Sequence, residues 1–353
     1  MVFQLDVLDD DNLHEHIFSR YVELERNTDT LKQDLGIQSR TDTTIEIDIE
    51  PPIHLPDIAS LVLLDKDKKS ENKKLRKSKK RDKNHKDQER YNIIIEQSIS
   101  DLNSTISNNN STTGYVLWSS TPFFLRWLLY DKNALPFRQQ TTDDSLIIPP
   151  MYSQHTTNRV GIIELGTGIS SLMAIVLSNH VDQYICTDQK GILNKLKYNI
   201  RENLNQITKR MYKSETLGMI KSVATTEIDE EDINPRRPIV TIEVEELDWE
   251  TFKIGQNTKY LANLQENCNT IYILAMDVIY NEYLIGPFLE TITKLREYFS
   301  DDDVEVKCLI GIHLRSQDIV TQFLESAVTD FHLPVTYMND PILEQSRYSL
   351  YLI

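Results

Sequence analysis

From residue 159 onward, short apolar runs alternate with segments whose apolar residues recur at helical spacing. The run "RVGIIEL" (159–165) is almost continuously apolar and is followed by glycines, which predicts a buried strand. After it we predict a helix at 171–179, a strand at 183–188 and a helix at 191–204. Further strands are predicted at 238–247, 270–280 and 304–314, with a helix at 283–299 between the last two.

This alternation predicts an α/β fold with a doubly wound sheet, because strands joined through helices build a parallel sheet covered on both faces. The tail adds two predicted strands, 332–338 and 347–353, with no helix between them. We expect these two to pair antiparallel at the sheet edge. The sequence therefore predicts a mostly parallel sheet of seven strands.

The segment before residue 115 has a different, β-rich pattern. Residues 13–25 predict an amphipathic helix, 43–50 and 91–99 predict strands, and the polar stretch 100–114 predicts a loop. Residues 116–130 then predict an aromatic-rich helix whose Ser/Thr-Pro start supplies an N-cap. We expect an N-terminal extension at 1–114 and a main domain at 115–353.

Composition and cysteine content favour a globular intracellular protein. The 353 residues are 40% hydrophobic and 26% charged, which is enough apolar side chain for one large domain or two modest ones. No run approaches the roughly 18 apolar residues of a membrane span, and the N-terminal residues lack signal-peptide features. Cys186, Cys268 and Cys308 form no metal-ligand spacing and predict buried free thiols, so we expect no metal site and a cytoplasmic location.

The net charge of −16 is unevenly distributed. Residues 65–90 contain 13 Lys or Arg against 6 Asp or Glu, whereas the rest of the chain is strongly acidic. The basic insert is typical of a solvated, disordered tether, and it is also suited to a weak, salt-sensitive contact with ribosomal RNA. The acidic body favours solubility, and it would also attract a basic protein substrate.

The chemistry centres on "ELGTG" (164–168), at the first strand-to-helix turn. In a doubly wound sheet this turn is the usual ligand cradle, and glycine lets a ligand approach the backbone closely. Asp188 ends the next strand, where its carboxylate can accept from both ribose hydroxyls. Gly166, Gly168 and Asp188 together predict a cofactor of the adenosine type.

Two such cofactors compete for this turn. A dinucleotide fingerprint needs a third small residue, usually Gly or Ala, where this chain has Ser171. Glu164 disfavours a phosphate through like-charge repulsion, but it suits a cofactor that carries an amine and a sulfonium. The sequence therefore favours S-adenosylmethionine.

Several motifs together resemble those of the class I seven-strand methyltransferases, specifically the lysine methyltransferases of methyltransferase-like family 16. The motifs are "VGIIELGTGISS" (160–171), "TDQKG" (187–191), "ELDWE" (246–250) and "AMDVIY" (275–280). "QDLGIQSR" (33–40) and the segment 111–130 are further similar to fungal ribosomal-protein lysine methyltransferases. The resemblance covers nearly the whole chain except the basic insert and residues 205–236, and it implies a Rossmann-like fold.

The resemblance also implies a set of site residues. Those implied to line the cofactor pocket are Trp118, Gly166, Thr167, Gly168, Asp188, Trp249 and Met276. Physical reasoning adds Glu164 near the cofactor's cationic groups and Asp248 as an acceptor for the adenine amino group. Met276 departs from the small residue often found in the family, so its expected contribution is a backbone contact.

"DVIY" (277–280) is the predicted catalytic centre. Asp277 follows the fourth strand of the main domain, and we expect it to bind and orient a substrate lysine while Tyr280 forms a wall of the lysine channel. The alternative is that Asp277 only caps the helix that begins near Asn281. His313, on the fifth strand, is more often a satisfied core histidine than a base.

The resemblance implies a basic large-subunit ribosomal protein as the substrate, and we expect a monomeric enzyme without membrane contact. Nucleic-acid amine methylation is a competing hypothesis, but Val278 and Ile279 stand where such enzymes typically carry prolines. The sequence is also compatible with methyl transfer to a protein residue besides lysine, and with a non-catalytic assembly factor that binds the cofactor. A dehydrogenase is disfavoured by Ser171.

Overall fold

The computed structural model describes residues 4–26, 36–52, 89–102, 113–140, 148–154, 158–219, 237–255, 259–300 and 303–353. The basic insert at 65–90 lies outside them except for its last two residues, as do residues 220–236 of the polar stretch and most of the predicted loop at 100–114.

Eleven strands form two sheets in the described part of the chain. The strands are β1 (Gln4–Val7), β2 (Thr44–Ile49), β3 (Tyr91–Glu96), β4 (Val160–Leu165), β5 (Gln183–Asp188), β6 (Met211–Lys213), β7 (Ile239–Glu246), β8 (Thr270–Met276), β9 (Glu305–His313), β10 (Thr336–Asn339) and β11 (Tyr348–Leu352). Nine of them build the main sheet in the order β1-β10-β11-β9-β8-β4-β5-β7-β6, while β2 and β3 pair antiparallel by themselves.

Ten α-helices accompany these strands in the described residues. They are α1 (Leu13–Arg26), α2 (Ile99–Leu102), α3 (Ser120–Tyr130), α4 (Leu135–Arg138), α5 (Leu172–Leu177), α6 (Lys190–Asn203), α7 (Lys259–Asn267), α8 (Glu282–Phe299), α9 (Gln317–Glu325) and α10 (Pro341–Glu344).

The predicted doubly wound, mostly parallel sheet is confirmed. Strands β9, β8, β4, β5, β7 and β6 run parallel, and β11, β10 and β1 add antiparallel pairs. All six residues of β4 are buried, and their side chains alternate between two apolar layers: Ile162 packs with α3, α5 and α6, and Ile163 with α1, α7, α8 and α9. Helices therefore cover both faces of the sheet.

The prediction of seven strands was too low by two. The additional strands are β1, which pairs with β10, and β6, which pairs with β7. Both are short and partly exposed, so neither has the apolar run from which the other strands were predicted.

The tail differs from its prediction in two details. Its strands do pair antiparallel, but β1 is the edge strand. A single turn, α10, separates them, and its first backbone N–H groups donate to the side chain of Asp340, at 2.8 Å from Ile342 and 3.2 Å from Leu343. One turn is too short to show helical periodicity in the sequence.

The predicted aromatic-rich helix begins at Ser120, and the expected side-chain cap is not formed. The Ser119 hydroxyl instead lies 2.6 Å from the hydroxyl of Tyr348 on β11. The preceding residues form main-chain contacts with the segment 36–38, where Gln38 N donates to Leu117 O at 2.9 Å and Ile37 bridges Trp118. Residues 115–119 therefore connect the N-terminal segment to the main sheet.

The three cysteines are buried, as predicted. Cys186, Cys268 and Cys308 are buried free thiols, and no group of three His, Cys, Asp or Glu side chains in the described part of the chain could hold a metal. None of the helices described above has the length and apolar character needed to cross a bilayer.

Candidate functional site

A pocket opens at the carboxyl ends of the parallel strands, where β4 lies between β5 and β8. This is the point at which strand order reverses, the usual ligand position in such sheets. The pocket has an empty volume of about 820 Å³, including the part open to solvent. All eleven predicted site residues line it: Trp118, Glu164, Gly166, Thr167, Gly168, Asp188, Asp248, Trp249, Met276, Asp277 and Tyr280.

The glycine turn after β4 has a backbone that only glycine adopts without strain. The φ angles of Gly166 and Gly168 are +68° and +62°. A Cβ on Gly166 would lie 2.8 Å from Val278 Cγ1 and 3.2 Å from Trp249 Cζ2. The turn is therefore closely packed against the wall of the pocket.

Asp188 holds this turn in place. Its Oδ2 accepts from Gly168 N at 2.7 Å, and its Oδ1 accepts from Gln189 N at 2.7 Å. Burial raises the pKa of Asp188 to about 6, against the opposing effect of these two backbone hydrogen bonds. Each carboxylate oxygen keeps acceptor capacity for a ligand hydroxyl.

Glu164 is a carboxyl group buried in the floor of the pocket. Its Oε2 accepts from the Tyr184 hydroxyl at 2.7 Å. Burial raises its pKa to about 7, although the hydrogen bonds from Tyr184 and Thr167 lower it. A cation in the pocket would favour the charged carboxylate, so Glu164 can recognise a positively charged ligand.

Two half-buried indoles form apolar walls of the pocket. Trp249 packs against Phe288 with ring centroids 5.0 Å apart. Trp118 donates from Nε1 to Thr113 O at 3.2 Å, and the guanidinium of Arg315 lies 4.5 Å from its ring centroid. These flat faces suit an aromatic base or an alkyl arm.

Asp248 and Met276 line the same pocket and also make structural contacts. Asp248 Oδ1 accepts from Glu250 N at 3.1 Å. Met276 lies over Gly311, where an added Cβ would overlap Met276 Sδ. Because Gly311 has no side chain, there is room for the sulfur of Met276 beside it.

Asp277 directly follows β8 in a left-handed conformation, with a φ of +63°. Asp and Asn tolerate this region better than most residues, and such strain often marks a functional position. The side chain is almost fully buried, and Oδ2 accepts from Arg315 Nη2. Burial raises the pKa of Asp277 to about 6, although the charge of Arg315 lowers it.

The capping alternative for Asp277 is wrong. The N-cap of α8 is Asn281, whose side chain accepts from Tyr283 N at 3.1 Å. Asp277 is left to face the pocket together with Tyr280, which is half-buried on the turn before α8.

Sequence reasoning missed Arg315, the partner of Asp277. Arg315 follows β9 by two residues, and β9 lies beside β8 in the sheet. The available signal was this shared sheet edge, because the carboxyl ends of neighbouring parallel strands lie together. His313, on β9, is buried and stacks on Tyr348 with ring centroids 5.0 Å apart.

Full-length relatives of this chain carry a common name. It is 47% identical over 353 residues to "Ribosomal lysine N-methyltransferase 5" of Zygosaccharomyces rouxii, which covers 100% of both chains. It is 43% identical to the protein of that name from Vanderwaltozyma polyspora, over 98% of each chain, and 39% identical to the one from Saccharomyces cerevisiae, over 100% of each.

No family model matches the chain. Among solved structures, "Human methyltransferase 10 domain containing protein" is 13% identical, with 57% of this chain and 73% of that chain covered. Its TM-score of 0.29 is too low to support an inference.

Proposed function

This chain belongs to the ribosomal lysine N-methyltransferase 5 family, and we propose that its pocket binds S-adenosylmethionine and directs methyl transfer to a lysine of a large-subunit ribosomal protein. The family makes it a protein-lysine methyltransferase. The proposal rests chiefly on one observation: the glycine turn, the buried carboxyl groups of Glu164 and Asp188, and Asp277 all line the same pocket.

The pocket residues fit this cofactor. The turn at Gly166 and Gly168 presents backbone without side chains, and Asp188 supplies acceptor oxygens for ribose hydroxyls. Glu164 is buried with a raised pKa, so a bound amine or sulfonium would compensate its charge. Trp249 and Trp118 offer the apolar faces for adenine and the methionine arm, and Asp248 an acceptor for the adenine amino group.

When bound, S-adenosylmethionine supplies a methyl group activated by the sulfonium charge. The residues of this chain must bring a neutral lysine amine to it, because only the neutral amine has a lone pair. A free lysine with a pKa of about 10.4 is mostly charged at pH 7. Burial in the pocket and the nearby cation Arg315 both lower the pKa of an entering lysine, so its proton leaves to water.

Asp277 then orients the amine and does not act as the main base. A carboxylate next to an amine favours the charged form, which opposes deprotonation. Its Oδ2 is already paired with Arg315, which reduces that effect. Tyr280 forms the neighbouring wall of the pocket. Catalysis then depends on holding the reacting atoms about 3 to 3.5 Å apart and on excluding water.

The acidic body of the chain supports a basic ribosomal protein as the substrate. Val278 and Ile279 are buried aliphatic residues at the two positions where enzymes that methylate base amines typically carry prolines. We therefore favour a protein lysine over an RNA base, and we propose a monomeric enzyme whose contact with ribosomal RNA is at most weak.

The test is transfer of labelled methyl from S-adenosylmethionine into ribosomal proteins from cells that lack this enzyme. We expect label in one large-subunit protein, released on hydrolysis as methyl-lysine, and no label with Gly166→Arg. Label found only in RNA would show a nucleic-acid methyltransferase. Tight cofactor binding without any transfer would show a binding module.

A further inference from the structure

Arg315 contacts two residues that line the pocket, Asp277 and Trp118. Its Nη2 donates to Asp277 Oδ2, and its guanidinium lies 4.5 Å from the ring centroid of Trp118. The side chain is only 18% exposed. A planar guanidinium can pair with a carboxylate along its edge and stack on an indole with its face, which the ammonium of lysine cannot do.

Gly36, in the N-terminal segment 36–38, lies against His313 and Arg315. Gly36 has a φ of +103°, and a Cβ there would lie 3.1 Å from Arg315 Nη2 and 2.7 Å from His313 Nδ1. This segment is fixed by its main chain, because Ser119 N donates to Gly36 O at 2.7 Å. Gly36 therefore leaves the space in which the His313 ring and the guanidinium of Arg315 lie.

The carboxyl group of Asp277 faces few other charged or titratable groups among the described residues. Arg315 and the backbone of His313 approach it from the end of β9, and the Ser120 hydroxyl approaches from α3. The Tyr348 hydroxyl on β11 is close enough for the charge of Asp277 to raise its pKa. Arg315 is the one cation in this set, so the charge of Asp277 depends on it.

We infer that Arg315 is a positioning residue for methyl transfer, held by Trp118 and the backbone of Gly36 so that it fixes both the orientation and the charge of Asp277. This inference rests on the proposed function. It assigns a role to residues 36–38 of the N-terminal segment, which the pocket lining alone does not indicate.

Removal of Arg315 would leave a buried carboxyl group without its cation. An opposite charge at this distance lowers a carboxyl pKa by about 1 to 3 units, so in Arg315→Met the pKa of Asp277 should rise from about 6 to about 8. At pH 7 about one tenth of the carboxyl would then be ionised. Activity should fall about tenfold at pH 7 and recover towards pH 9.

The experiment uses as substrate the isolated ribosomal protein that the labelling experiment identifies. It measures kcat/KM for methyl transfer from pH 6 to 9 for the full-length wild type, Arg315→Met and Arg315→Lys. Because kcat/KM reports the ionisation of the free enzyme and the free substrate, the pKa of the unbound lysine affects all three alike, and the ratio of variant to wild type reports on Asp277. We expect that ratio to rise about tenfold between pH 7 and pH 9 for Arg315→Met. For Arg315→Lys it should stay nearly constant, because the charge is kept.

Gly36→Ala tests the same contact without removing the charge, and Gly255→Ala is its matched control. Both glycines have a φ of +103°, but a Cβ on Gly255 meets nothing within 4 Å. Gly36→Ala should displace the His313 ring and Arg315 and lower kcat/KM with the same pH dependence as Arg315→Met, while Gly255→Ala stays near wild type. Affinity for S-adenosylmethionine should stay within about threefold in every variant.

A ratio that does not change with pH, with an active wild type, would overturn the role of Arg315. An equal loss of activity in Gly36→Ala and Gly255→Ala would overturn the role of Gly36. If the wild type itself transfers no methyl group, the proposed function fails instead, so the two failures are distinguishable.

Discussion

Gly166→Ala should weaken cofactor binding as well as folding. At a φ of +68° an alanine costs about 1 kcal/mol of backbone strain. Its Cβ would also lie 2.8 Å from Val278 Cγ1 and 3.2 Å from Trp249 Cζ2, so both side chains must shift. Both line the pocket, so the shift alters the wall that receives the cofactor.

The expected loss in affinity follows from this overpacking. Inserting one methyl group into a packed site costs about 1 to 3 kcal/mol, which is about a 5- to 150-fold increase in Kd. Isothermal titration calorimetry with S-adenosylmethionine measures this change, and urea unfolding without cofactor measures the change in folding free energy. We expect the unfolding free energy to fall by about 1 to 2 kcal/mol.

Gly218→Ala is the matched control for backbone strain. Gly218 has a φ of +72°, and a Cβ there would meet nothing within 4 Å. It should lose about 1 kcal/mol of unfolding free energy with unchanged cofactor affinity. If Gly166→Ala binds the cofactor as tightly as Gly218→Ala does, the glycine turn is not the cofactor cradle.

Two further predictions concern the buried carboxyl groups. Asp277→Asn keeps a side chain that tolerates the φ of +63° and still accepts from Arg315, so we expect turnover to fall about a hundredfold with unchanged cofactor affinity. Single-turnover kinetics and calorimetry test this, and a loss below about threefold would contradict it. In the folded state the pKa of Glu164 is about 7, above the ordinary value of 4.5. The folded state therefore binds a proton more tightly than the unfolded state, and the free energy of unfolding falls as the pH rises from 4.5 to 7. Glu164→Gln removes that fall, so between pH 4.5 and pH 8 it should gain up to about 3 kcal/mol of unfolding free energy relative to wild type. Urea unfolding without cofactor at the two pH values measures this, and parallel pH dependences would refute it.

The sequence predicted the strands and helices that have a clear hydrophobic pattern in their own residues. Strand β4 is buried at all six positions, so its apolar run alone identified it. Strand β1 has the sequence "QLDV" and no buried residue, and it is a strand because it pairs with β10 across more than 300 residues. Strand β6 likewise depends on β7. Such edge strands are specified by their partners and not by a local pattern.

The same distinction separates the predicted site residues from the missed ones. Gly166 and Asp188 lie on consecutive strand ends joined by one helix, so a local motif contains both. Arg315 lies 38 residues after Asp277, just past the end of β9, and Gly36 lies against it from the N-terminal segment. No spacing rule joins these three positions, because only the sheet order places β9 beside β8. The residues at the glycine-turn end of the pocket could therefore be predicted from the sequence, whereas Arg315, the partner of Asp277, is found only from the fold.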